Sequence, residues 1–294
     1  MLADRIVAEL WPDRNASVEP LGGGLTNHNF KVTVGDEVFV LRVGGSDTEL
    51  LGIDRGHEHE AAVVAAGLGV GPEVVAFLEH ESCLVTRFVD ADPFDSERIR
   101  QPETIARVAR ALRRIHDGPA VPGRFDAFRV VDAYADTVVV RGGTLPAEHA
   151  AAKATADRVE ATLGSPSLRP CHNDLLNANL LEDGERIRIV DWEYAGMGDP
   201  FFDLANFAVN NGLTEDDDRL LLDSYGEPGD DAEARLVLMR FMSDFREAMW
   251  GAVQQAVSAL DFDFLSYTGE HFERLEGTAA SSRFRAALGG AVRG

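Results

Sequence analysis

Two carboxylates and a carboxamide fall within one stretch of this 294-residue chain in a pattern that has chemical meaning. The stretch reads Cys171-His172-Asn173-Asp174-Leu175-Leu176-Asn177-Ala178-Asn179-Leu180-Leu181. After the apolar run Ile187-Arg188-Ile189-Val190 it continues Asp191-Trp192-Glu193-Tyr194. Phosphoryl transfer needs a group that takes the proton of the acceptor hydroxyl. It also needs oxygen ligands for a magnesium ion that bridges the phosphates. An acid at 174, an amide at 179 and a second acid ending an apolar strand at 191 meet both needs as a set. Two loops joined by a tight hairpin bring such groups together. Cys171 beside His172 also admits a thiol nucleophile, but a small buried residue ahead of the loop is the stronger reading.

A second feature is Gly22-Gly23-Gly24-Leu25-Thr26-Asn27, placed between two extended segments. Bare backbone N–H groups and the Thr26 hydroxyl can reach phosphate oxygens from such a turn, although any tight β-turn has a similar composition. Lysine occurs only at Lys31 and Lys153, so a phosphate site must use arginine, backbone N–H groups or a metal.

The elements that carry these residues follow from periodicity. Residues 1–10 form a short amphipathic helix rather than a signal peptide, and 17–21 are extended. Residues 30–34 and 38–43 alternate around Gly35-Asp36-Glu37 and predict a hairpin. A helix is expected over 55–67, a second hairpin over 74–77 and 83–88, and a polar hinge over 89–95. Ile105, Val108, Ala109, Leu112 and Ile115 mark one face of a helix over 102–116. Further helices are expected over 128–141 and 146–163, short strands at 180–181 and 187–190, and helix throughout after 201. The predicted organisation is an α+β fold with two lobes, residues 1–90 and 91–294, and a ligand cleft near 88–96.

Composition narrows the partners. A hydrophobic share of 45% with 27% charged residues suits a globular chain. No apolar run is long enough to span a bilayer, and two distant cysteines offer neither a zinc site nor a disulfide framework. A reducing cytoplasm is the expected compartment. The net charge of −22 disfavours nucleic acid and anionic membranes and mildly favours a cationic ligand.

The segments around 172–179 and 191–205 resemble the catalytic and metal loops of the aminoglycoside phosphotransferase and choline kinase superfamily, relatives of protein kinases. Asp-Trp-Glu-Tyr-Ala-Gly at 191–196 and Gly-Asp-Pro-Phe-Phe-Asp-Leu-Ala-Asn at 198–206 resemble the choline/ethanolamine kinase branch most. The resemblance runs from about residue 17 to about residue 276 and implies a protein-kinase-like fold with ATP and Mg2+ as cofactors. It implies that Asp174 is the catalytic base, that Asn179 and Asp191 ligate magnesium, that His172 braces the loop and that Asp203 anchors it. On the nucleotide side it implies Gly22, Gly23, Gly24, Thr26 and Asn27. Arg42 stands where protein kinases carry lysine and is expected to pair with Glu58, ahead of Glu60. Residues 85–89, with Arg87 and Phe88, form the adenine hinge.

For the acceptor, Tyr194 lies three residues past Asp191 and should face the same cleft. Glu247, Trp250 and Gln254 share one helical face. In the resembling branch, aromatics at positions like Tyr194, Trp250 and Tyr267 cage a quaternary ammonium by cation–π attraction. Glu247 departs from the second tryptophan of the eukaryotic pattern. It suits a protonated amine and weakens the case for choline itself. The expected reaction is phosphorylation of a small cationic alcohol, choline or ethanolamine. Thiamine or aminoglycoside phosphorylation and a pseudokinase without turnover stay open.

Overall fold

A computed structural model of the chain describes residues 2–22, 27–45, 48–91, 93–184, 186–258 and 260–290. Alternating apolar residues in the first third build an antiparallel sheet. Its strands are β1 (Ala16–Leu21), β2 (Asn27–Val34), β3 (Glu37–Gly44), β4 (Val74–Leu78) and β5 (Cys83–Arg87), in the order β1-β2-β3-β5-β4. The turn between β2 and β3 puts Gly35 at φ 62°, a conformation that costs glycine little. Val32, Val34, Phe39, Leu41 and Val43 pack on Ala3, Ile6 and Val7 of helix α1 (Leu2–Leu10). The two-residue period therefore sends Val40 and Arg42 to the opposite face, toward helix α2 (Arg55–Gly67). That alternation delivers a guanidinium to the cleft side of a strand whose other face is core.

The rest is mostly helical, with α3 (Pro102–His116), α4 (Ala127–Val140) and α5 (His149–Leu163) ahead of the loops. Strands β6 (Arg169–Cys171), β7 (Leu180–Asp183), β8 (Arg186–Ile189) and β9 (Gly196–Gly198) form two small ladders, β6 with β9 and β7 with β8. Helices α6 (Pro200–Asn210), α7 (Glu215–Tyr225), α8 (Asp230–Val257), α9 (Phe264–Ala280) and α10 (Ser282–Gly289) complete the lobe. The molecule is an α+β fold of two lobes.

Helix α8 runs through the centre of the helical lobe and contacts α4, α6 and α9. It is buried on every side from Phe241 to Gln254, which is how a helix behaves when other elements surround it. Its buried polar residues must then find partners. Asp244 accepts from His271 at 2.9 Å and from Arg274 Nε at 2.9 Å.

Helices α2 and α3 coincide with the segments read from periodicity, and the expected helices over 128–141 and 146–163 shift to 127–140 and 149–163. The β6–β9 ladder was not foreseen. Three-residue strands containing proline and glycine carry no alternation to read. Among the described residues no helix is long and apolar enough to cross a membrane.

Candidate active site

The loop after β6 is fixed by groups that reach it from α6. Pro200 opens that helix and its N-cap Asp199 accepts the Phe201 N–H at 2.9 Å, which places Asp203 in the first turn. Asp203 is fully buried. Its Oδ2 accepts the His172 N–H at 2.8 Å and its Oδ1 accepts the Asn173 N–H at 2.7 Å. His116 Nε2 lies 3.0 Å from the same Oδ2, while its Nδ1 meets the Tyr225 hydroxyl at 2.8 Å. About one turn further along α6, Asn206 Oδ1 accepts the Leu175 N–H. Asn173 adopts φ 68°, a left-handed conformation that asparagine tolerates, and this turns the chain so that Asp174 points away from the anchor.

His172 ties this loop to the next. Its Nδ1 accepts the Asp174 N–H at 3.2 Å and its Nε2 lies 2.9 Å from the Val190 carbonyl. The proton must therefore sit on Nε2, in the neutral ring. Burial lowers the His172 pKa, which agrees with that state. Cys171 is buried and burial raises its thiol pKa well above the ordinary value, so it has the character of a core residue and not of a nucleophile.

Asp174, Asn179 and Asp191 are brought together. Asn179 Nδ2 donates to the Asp174 carbonyl at 2.9 Å and to its Oδ2 at 3.3 Å. The Val190 N–H donates to the Asn179 carbonyl at 3.0 Å, so the β7–β8 hairpin sets Asn179 next to the residue preceding Asp191. Asp191, two residues past the end of β8, sits at φ 69°, a left-handed conformation that aspartate visits more readily than most residues, and its Oδ2 lies 2.6 Å from Arg42 Nη2. Its Oδ1 is buried with no hydrogen-bond partner among the described residues. With the Asn179 residue brought alongside by the Val190 bond, a carboxylate oxygen left without a donor supplies the hard-oxygen chemistry that fits magnesium. Burial raises the Asp174 pKa to about 8; Arg246 opposes the rise, and Glu247, Asp191 and Glu193 add to it.

A chain of ion pairs links the two lobes at this point. Arg42 Nη1 meets Glu58 at 2.7 Å, as expected, and Arg55 Nη1 bridges Glu58 at 2.6 Å and Glu193 at 3.2 Å. Asn27 donates to Glu193 at 2.9 Å and accepts from Arg55 at 2.8 Å, so its carboxamide serves the junction between lobes. Burial opposes the charge on Arg42, but Asp191, Glu58 and Glu193 outweigh it and raise its pKa.

Between the lobes lies a cavity of about 370 Å³ whose lining includes Gly22, Arg42, Glu58, Arg87, Phe88 and Asp191. The Arg87 guanidinium itself turns to Glu37 at 2.8 Å and Glu73 at 3.3 Å, and Phe88 lies under Lys31 Nζ at 4.6 Å from the ring centre. Gly23, Gly24 and Thr26 lie outside the described residues.

The expected acceptor residues also converge. Trp250 Nε1 donates to the Tyr194 hydroxyl at 3.0 Å and its ring meets Tyr267 edge-on at 5.6 Å. The Tyr267 hydroxyl donates to Glu247 Oε2 at 2.9 Å. Arg246 completes this wall and was not anticipated. Its Nη1 lies 2.6 Å from Glu247 Oε1 and 3.4 Å from Asp174 Oδ1, and its guanidinium carbon is 4.4 Å from the centre of the Tyr194 ring. Burial works against the Glu247 carboxylate, but Arg246, His271 and the Tyr267 hydroxyl prevail and lower its pKa. Arg55, Glu193, Arg246 and His116 were all missed. The signal for Arg246 was the adjacent pair Arg246-Glu247, close to Asp244 in a helical stretch rich in Phe, Met and Trp.

A profile of the phosphotransferase enzyme family matches residues 17–237. Protein LicA of Haemophilus influenzae is 27% identical over 248 residues, covering 79% of this chain and 72% of that protein. Ethanolamine kinase 1 of Mus musculus is 25% identical over 90% of this chain and 84% of its own. The solved structure of a choline/ethanolamine kinase family protein from Mesorhizobium loti matches with a TM-score of 0.85 at 33% identity, covering 100% of this chain and 99% of that one. With the family match spanning most of the sequence and a member's fold shared end to end, the chain belongs to the phosphotransferase enzyme family and is a small-molecule kinase.

Proposed function

We propose that the chain transfers the γ-phosphoryl group of ATP, with magnesium, to the hydroxyl of a small cationic alcohol, choline or ethanolamine. The observation that supports this most directly is the arrangement behind the interlobe cavity. Asp174 and Asn179 are joined by hydrogen bonds, and Asp191 keeps one carboxylate oxygen free of donors among the described residues. Around them the acids Asp174, Asp191, Glu58, Glu193 and Glu247 outnumber Arg42, Arg55 and Arg246, and this crowding of acids, which helps to raise the Asp174 pKa, is eased by a bound cation. On this reading residues 1–90 carry the nucleotide and 91–294 the chemistry. The apolar lining of the cavity, including Val40, Ala62, Leu84 and Val190, holds the adenine.

Asp174 accepts the proton of the acceptor hydroxyl as its oxygen bonds to the γ-phosphorus and the bond from phosphorus to the leaving ADP oxygen breaks. His172 and Asp203 hold the loop so that the carboxylate does not swing. Asn179 and Asp191 would hold magnesium, which neutralises the phosphate charge when bound. Arg42, fixed by Glu58, is the guanidinium placed to meet the phosphates. The names of the relatives, and the aromatic wall of Tyr194, Trp250 and Tyr267, favour choline or ethanolamine over a bulky polycationic antibiotic.

The test is to incubate the protein with Mg·ATP and choline, ethanolamine, thiamine or kanamycin and to follow ADP release. Turnover is expected with choline or ethanolamine. Asp174→Ala should lower kcat at least about 100-fold, the usual scale for loss of a general base. Undiminished turnover in that variant removes Asp174 from the role.

A further inference from the structure

The group of residues that would receive an onium ion already contains a cation that belongs to the protein. Arg246 is 1% exposed and stacks over the Tyr194 ring at 4.4 Å, well inside cation–π range. The same guanidinium pairs with Glu247 at 2.6 Å and reaches Asp174 at 3.4 Å. The ring face, the carboxylate and the edge of the reacting group are thus all engaged by one side chain. Its Nε and Nη2 are buried with no partner among the described residues, so the side chain is packed in without a full set of hydrogen bonds. Leaving two donors unmatched is unfavourable. The guanidinium stays because Glu247, 2% exposed, has no other full positive charge against it at hydrogen-bond distance among the described residues.

We propose that Arg246 determines acceptor choice by filling, from within the protein, the seat that a quaternary ammonium would take on the Tyr194 ring. The inference rests on the function proposed above and narrows it. A trimethylammonium group has no N–H to donate, is bulky, and relies on bare aromatic faces beside a carboxylate. Here the Tyr194 face is covered and the nearest carboxylate is neutralised. A like charge at that spot adds repulsion, which rejects a ligand as effectively as missing contacts do. A primary ammonium is compact and donates hydrogen bonds, so it does not depend on that ring face. Ethanolamine is therefore the better acceptor of the two, and removing Arg246 opens an acidic, aromatic-walled seat that choline fits.

The experiment compares the wild type with Arg246→Ala and with the double variant Arg246→Ala/Glu247→Gln, which empties the seat without stranding a buried carboxylate. Kinetics with Mg·ATP are measured for ethanolamine and choline. Calorimetric titrations with choline are run in parallel in the presence of Mg2+ and a non-hydrolysable ATP analogue. In the wild type, the KM for choline should exceed that for ethanolamine by at least about tenfold. Arg246→Ala should lower the choline KM or Kd by about tenfold, and the double variant, which bares the Tyr194 face but keeps no carboxylate beside it, by about threefold, while the KM for ATP stays within about twofold. Methylguanidinium at millimolar concentration should compete with choline in Arg246→Ala and not in the wild type. A wild type that prefers choline, or variants that gain no choline affinity, would overturn the role given to Arg246 and leave the kinase reading intact. If the wild type released no ADP with either alcohol, the kinase reading would fail while the titrations still decided about Arg246. Choline bound by the variants and not by the wild type upholds the seat; equal binding refutes it.

Discussion

Asp174 carries its negative charge against the local environment: burial lifts its pKa to about 8, and Arg246, though it opposes the rise, does not cancel it. In the unfolded chain an aspartate ionises near the ordinary value of about 4. Between those two values the folded state holds a proton that the unfolded state has lost, so this residue makes stability fall as pH rises through the window. Asp174→Asn removes that penalty. Its melting temperature at pH 8 should exceed that of the wild type by about 2 °C or more, with the gap shrinking toward pH 4. A lower melting temperature at pH 8 would show that the Arg246 contact outweighs burial. The same raised pKa predicts that kcat/KM keeps climbing through neutral pH, where an ordinary carboxylate would already have levelled off by about pH 5.

At the scale of the element, the N-terminal turn of α6 holds the loop in place. Asp203 satisfies two successive backbone N–H groups and His116 at once, all of them buried. Asp203→Ala leaves each of these without its partner. The expected loss is about 3–5 kcal/mol, the scale for breaking a buried polar network, or on the order of 10 °C in Tm. Calorimetry of the purified variant checks this, and a Tm within a degree or two of wild type would mean that water replaces the carboxylate. Helix α8 shows the complementary arrangement. It is buried on every side at its centre, yet it carries the adjacent pair Arg246 and Glu247 there, which bond each other and pack against Tyr194 and Tyr267.

Across the whole molecule, ion pairs join the lobes beside the proposed metal site, in addition to the apolar core that Leu51, Ile53, Ala61 and Leu84 share with the helical lobe. Arg42 meets Asp191, and Arg55 with Asn27 meets Glu193. These ties set the distance between the cleft walls and hence the fit of the nucleotide. Arg55→Ala is expected to raise the KM for ATP by about tenfold or more, with a smaller effect on the acceptor KM. Unchanged ATP kinetics would make Arg55 a bystander. The proposed magnesium ligands belong to the same scale, because Asn179 and Asp191 flank the two strands that meet at the open end of the β7–β8 hairpin. Chelation by EDTA should abolish turnover. Added Mg2+ with ATP should raise the Tm of wild type and not that of Asp191→Ala, as expected of a ligand that binds only the folded site.

Local patterns in the sequence determined the elements and the chemical set. Alternation fixed the β2–β3 hairpin and the face on which Arg42 emerges; a 3.6-residue period fixed α2 and α3; the spacing of Asp174, Asn179 and Asp191 marked one candidate site. Such features are legible because burial repeats along a strand or helix with the period of its side chains. Only the tertiary structure decided which charges face one another. Arg246 reaches Asp174 across 72 residues and Arg55 reaches Glu193 across 138, and no periodicity records such a pairing. It also enlisted Asn27 in the junction between lobes and paired β6 with β9. A buried ion finds its partner only when packing has removed the water that would otherwise solvate both.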